Sequence, residues 1–131
     1  FEGLNEISWG TREGCRVTPE EDAYYWDVLG QWAEGNTSLR IEGGESPEDV
    51  YKRQVPVLEY ILNKKDEKNI LICMHGRAMR ILLCNLLNYP LCEMDVFEHT
   101  NLCLYKLRYT GTMCTVELFN ETSHLEILNR L

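Results

Sequence analysis

No cluster of basic residues in this sequence exceeds the pairs Lys52–Arg53 and Lys64–Lys65. Acidic residues outnumber basic ones by 21 to 13, for a formal charge of −8. A nucleic-acid binder gains affinity by releasing counterions at a basic face, so that class is a poor fit. Long hydrophobic runs are also missing. The two longest, around Asn69–Met74 and Ile81–Leu87, are far too short to span a bilayer. Nothing near Phe1 resembles a signal peptide, and a start on Phe1 reads as a processed chain or a fragment. No CxxC spacing supports a structural zinc site, and no helical HxxxH pair is present. The G-x-S-x-G, Walker and GxGxxG motifs are absent too. His99 and His124 match no metal spacing and read as structural.

What remains is an ordinary globular composition, 44% hydrophobic and 26% charged over 131 residues, which fits one domain. The six cysteines, at 15, 73, 84, 92, 103 and 114, mostly fall in apolar or alternating stretches. There cysteine serves as a small buried hydrophobe, so reduced thiols and a cytoplasmic location are expected.

Local signals divide the chain. Residues 1–17 are irregular and punctuated by Gly3, Gly10 and Gly14. Thr18-Pro19-Glu20-Glu21 combines a cap, a proline at the first helical position and acids in the first turn. It predicts a helix ending near Gly35. Ser46-Pro47-Glu48-Asp49 repeats that signal before a 3.6-residue apolar period through residue 63, with Pro56 inside. A charged loop, 64–68, leads to Asn69-Ile-Leu-Ile-Cys-Met74, the pattern of a strand covered on both faces. A helix is predicted from Arg77 to Asn88. Residues 101–109 and 112–119 alternate around Thr110-Gly111 as a hairpin. A doubly covered parallel strand needs partners on both edges, and residues 1–68 offer no second buried strand. The sheet is under-supplied.

His75 follows the predicted strand and precedes a helix, with Gly76 permitting a tight turn. Open α/β sheets place ligands at that edge, and a helix N-terminus favours anions such as phosphate. The alternative is a histidine satisfying local backbone groups. Arg77 and Arg80 open the same helix, where cations are unfavourable unless an anion is bound; phosphate binding and plain exposure both fit. Glu6 is either a general acid held in a partly apolar pocket or a solvated carboxylate. Trp9, Trp26 and Trp32 read as packing residues.

The ordered set Leu4-Asn5-Glu6-Ile7, Gly10, Glu13-Gly14, Gly43-Gly44-Glu45-Ser46 with Arg53, Asn69–Met74 with His75-Gly76 and Arg80, then Asn101 and Asn120–Leu125, resembles the histidine phosphatase superfamily. That group includes cofactor-dependent phosphoglycerate mutases and many phosphomonoesterases. The resemblance implies a three-layer α/β/α fold with a mostly parallel central sheet. It further implies phosphoryl transfer through a phosphohistidine, with no metal or organic cofactor. By resemblance Glu6 matches the proton donor and His75 the second pocket histidine. Gly76 matches the residue whose N–H adjoins the phosphoryl group, and Arg77 and Asn101 are further candidate phosphate contacts. Residues 18–42 correspond to a helical insert offering Tyr24 and Tyr25 to substrate. The family's Arg-His-Gly motif, whose histidine is the nucleophile, does not occur here. The expectation is therefore a single phosphoglycerate mutase-like domain lacking its central first strand, inactive alone and completed by an N-terminal segment of the same protein. Its ligand would be a small phosphorylated substrate, and a homodimer is left open.

Overall fold

The computed structural model describes residues 1–126. Three helices, a hairpin and short 3-10 turns make up the described chain. Helix α1 spans Pro19–Ala33; the Thr18 hydroxyl accepts from the Glu21 N–H at 3.2 Å, and Glu20, Glu21 and Asp22 complement the helix dipole. Its inner face buries Val28, Leu29 and Trp32. The Trp32 indole donates to the Leu39 carbonyl at 2.9 Å, which holds the following loop against the helix.

Helix α2, Pro47–Leu62, starts with a full capping box between Ser46 and Asp49 and runs on through Pro56. Val50, Gln54, Leu58 and Ile61 form its buried stripe. Helix α3, Gly76–Leu87, buries Ala78, Ile81, Leu82, Leu83 and Cys84 and ends on Asn88 in the left-handed region, φ 58°. Gln54, fully buried, ties α2 to α3 by donating to the Ala78 carbonyl at 2.8 Å. Ile7, Trp32, Ile41, Val50, Ile81, Met94 and Phe97 belong to one core cluster. The segment expected as an insert therefore shares the core of the rest of the chain, through Val28, Leu29, Trp32 and Ile41.

Strands β1, Leu104–Tyr109, and β2, Cys114–Glu121, pair antiparallel across the turn at Gly111, φ 100°, as the alternation predicts. They form the two-stranded sheet of the described residues. Tyr105 and Phe119 pack with Phe97, which anchors the hairpin to the core. The parallel sheet is another matter. Residues 69–74 run extended after α2 yet pair with no strand among the described residues, and Ile70 and Leu71 are exposed. The apolar pattern of a doubly covered strand is present, but a strand exists only as half of a ladder. Cys73, expected inside, is exposed in consequence, whereas Cys84 is buried as expected. Burial pushes the Cys84 thiol up to about 12.

Candidate active site

Two segments about seventy residues apart meet at the N-terminus of α3. Glu6 Oε1 accepts from the N–H groups of Ile7 (2.9 Å) and Ala78 (2.7 Å), and Oε2 accepts from the Arg77 N–H (3.1 Å). The helix terminus that sequence patterning marks as a phosphate site thus already holds an acidic group, the protein's own. His75 is the cap residue of α3 and makes no side-chain capping bond. The Gly76 N–H, next to it, has no hydrogen-bond partner among the described residues. Each carboxyl oxygen offers two acceptor positions. Oε1 uses both and Oε2 only one, so Oε2 keeps a position at which a proton can be carried or received.

His99, read as structural from its spacing, lies directly on this turn. A Cβ on Gly76 would stand 2.9 Å from His99 Nδ1 and 3.0 Å from its Cε1. Glycine at 76 is thus needed for the ring's close approach. His75 and His99 therefore flank the same helix start, a juxtaposition with no local sequence signal because it depends on the chain returning after Leu91–Val96.

The two arginines of α3 are occupied. Arg77 is buried, bonded to Asp95 at 2.5 Å, with its guanidinium 6.0 Å from the Trp32 ring centre. Arg80 donates to the Phe97 carbonyl at 2.8 Å and lies 3.7 Å from Asp95. The opening of α3 by two cations is thus answered by Asp95, an anion from the following turn. Asn101 is exposed, two residues beyond His99.

Tyr24 and Tyr25 stand elsewhere. Tyr24 lies under the Arg12 guanidinium, 4.2 Å away, and Tyr25 packs on Trp9 and Trp26. With Arg16 and Glu21 they line a cavity of about 290 Å³. Arg12 is paired there with Glu21. His75 instead borders a cleft of about 500 Å³ between Phe1–Asn5, the end of α2 and residues 69–73. The two lining sets share no residue. Among the described residues no group of three or more His, Cys, Asp or Glu side chains is placed to hold a metal ion. No helix of the described residues is long and apolar enough to cross a membrane.

The family model of the histidine phosphatase superfamily (branch 1) matches residues 1–122. The chain belongs to the histidine phosphatase superfamily. Two curated members of this superfamily are similar in sequence, both named 2,3-bisphosphoglycerate-dependent phosphoglycerate mutase. The protein of Cytophaga hutchinsonii is 31% identical over 87 residues, 65% of this chain and 40% of that protein. That of Methanosarcina acetivorans is 30% identical over 84 residues, 63% of this chain and 34% of that protein. The matches thus span two-fifths or less of these curated histidine phosphatase relatives. Among solved structures, a mycobacterial glucosyl-3-phosphoglycerate phosphatase in complex with inorganic phosphate superposes with a TM-score of 0.75. It is 19% identical, over 92% of this chain and 63% of that one. A second, described as mycobacterial hydrolase 2, gives a TM-score of 0.73 at 19% identity, over 98% and 63%. At that identity the structural likeness speaks for the histidine phosphatase fold.

Proposed function

We propose that the complete protein is a phosphomonoesterase that transfers a phosphoryl group through a phosphohistidine intermediate. Its nucleophilic histidine lies on a segment outside these 131 residues. In this reading the histidine nitrogen forms the P–N bond as the P–O bond to the leaving oxygen breaks. Glu6 passes its proton from Oε2 to that oxygen, and water later takes the phosphoryl group from the histidine. His75 and the Gly76 N–H stabilise charge on the transferring group, the work that positioned donors do in phosphoryl transfer. Tyr24 and Tyr25 contribute to substrate contact from their own cavity, and Asn101 from the loop after His99. The whole domain is three-layered, with the extended 69–74 segment as one strand of a parallel sheet beside the strand that carries the nucleophile. Without that strand the 131 residues are inactive.

The observation that carries this reading is the Glu6 carboxyl seated on the N–H groups of Arg77 and Ala78, beside His75 and the Gly76 N–H, which has no partner among the described residues. The sequence similarity to phosphoglycerate mutases favours a second reading, phosphoryl transfer between two oxygens of a phosphoglycerate substrate. Intact mass spectrometry of the folded protein establishes which segment accompanies the chain. Hydrolysis of p-nitrophenyl phosphate by the complete protein then tests the function, and His75→Ala should lower kcat by about 100-fold or more. Interconversion of phosphoglycerates without comparable hydrolysis selects the mutase reading. Vanadate binding with no turnover of either kind refutes both in favour of a binding module.

A further inference from the structure

The Glu6 carboxyl can serve only if it is delivered to one place, and its side chain is long and rotatable. The α3 N–H groups hold it from one side. The other side is held by Arg53, on α2, whose guanidinium donates from Nη2 to the Glu6 carbonyl at 3.0 Å and to the Asn5 carbonyl at 2.9 Å. Its Nη1 donates to the Gly3 carbonyl at 2.7 Å and more weakly to that of Glu2 at 3.4 Å. Four backbone carbonyls, those of Glu2, Gly3, Asn5 and Glu6, are thereby gathered by one planar fork, which an ammonium group cannot imitate. Arg53 is itself oriented by Glu45: Nε to Oε1 at 2.7 Å and Nη2 to Oε2 at 3.0 Å. Glu45 also accepts from the Ser8 N–H at 2.9 Å, on the far side of Glu6. The carboxyl of Glu45 is held below the usual carboxylate range chiefly by its hydrogen bond with Arg53.

The fit leaves no slack. A Cβ on Gly3 would stand 2.6 Å from the Arg53 carbonyl oxygen, and one on Gly44 would stand 2.4 Å from that of Ser8. Both glycines permit the backbone to lie directly on its neighbours.

We propose that Arg53, oriented by Glu45, is a positioning residue that sets where the Glu6 carboxyl meets the leaving oxygen. This rests on Glu6 acting as the proton donor. A displacement of about 1 Å can cost 100-fold in rate, and the loss falls where proton donation matters. An ester that leaves as phenoxide needs the proton; 2,4-dinitrophenoxide leaves without it. The readout is kcat/KM of the complete protein for phenyl phosphate and for 2,4-dinitrophenyl phosphate, because this constant includes the bond-breaking step.

Glu6→Gln sets the reference and should lose about 100-fold on phenyl phosphate and only a few-fold on the dinitrophenyl ester. Arg53→Lys should lose about 10-fold or more on phenyl phosphate, again with a few-fold change on the activated ester. Glu45→Gln, which keeps Arg53 in place but loosens it, should move the same way by less and supplies the test if Arg53→Lys does not fold. Equal losses on both esters, or no loss on either, with Glu6→Gln still selective, overturn the positioning role alone. A Glu6→Gln variant that loses equally on both esters overturns the proton-donor reading, and the positioning role falls with it.

Discussion

Replacing Glu6 with alanine removes the acceptor shared by three backbone N–H groups, those of Ile7, Arg77 and Ala78. Two of these are unpaired donors of the first turn of α3, so their loss resembles the loss of an N-cap, about 1 kcal/mol. The third belongs to fully buried Ile7 and adds a part-buried unsatisfied N–H, about 1 kcal/mol more. Because Glu6 is only half-buried, water reaches the gap and keeps the total near 2 kcal/mol. Glu6→Gln keeps one acceptor oxygen but turns an NH2 toward a backbone donor, which should cost about 1 kcal/mol. Urea unfolding of the complete protein measures both variants. A loss below about 0.5 kcal/mol for Glu6→Ala, or a Gln variant less stable than the Ala variant, would refute the capping geometry.

Other expectations follow from the packing. Arg77→Met should destabilise by about 1–3 kcal/mol, measured by urea unfolding, since a buried guanidinium paired with Asp95 is lost. Gln54→Leu should change stability by less than about 1 kcal/mol in the same assay, because the lost bond to Ala78 is offset by removal of a buried Oε1 that has no partner among the described residues. The hydrogen bond from Arg40, helped by the Ser46 N–H, lowers the Asp49 pKa from 3.8 to about 2. The unfolded chain therefore binds this proton at higher pH than the folded one. Asp49 stabilises fully above the unfolded value and loses that contribution as pH falls toward 2. Urea midpoints between pH 6 and 2 should fall less steeply for Asp49→Asn, which starts less stable at pH 6.

The helices were legible because their signals are local. Thr18-Pro19 and Ser46-Pro47 announce α1 and α2 within four residues, and Ser46 and Asp49 form the reciprocal cap their spacing suggests. The hairpin was legible from its alternation and Gly111. The site was legible only in part. His75 and Gly76 could be placed at a helix start from the strand-to-helix pattern, but the approach of Glu6 to that helix spans most of the chain. Nothing near Arg53 announces that its fork will gather the carbonyls of Gly3, Asn5 and Glu6. Nor does any neighbour of His99 announce that its ring will rest on Gly76. Residues 69–74 illustrate the remaining limit: apolar pattern is a property of a segment, whereas pairing belongs to two.

That extended segment has a consequence for handling the 131-residue chain by itself. Its backbone, unpaired among the described residues and carrying exposed Ile70 and Leu71, offers a template onto which a neighbouring molecule can add edge to edge. Mutual repulsion from the net charge of −8 opposes such stacking near neutral pH. Acidification that neutralises this charge should therefore bring on cross-β association, seen as thioflavin fluorescence that grows with protein concentration, and Leu71→Lys should suppress it.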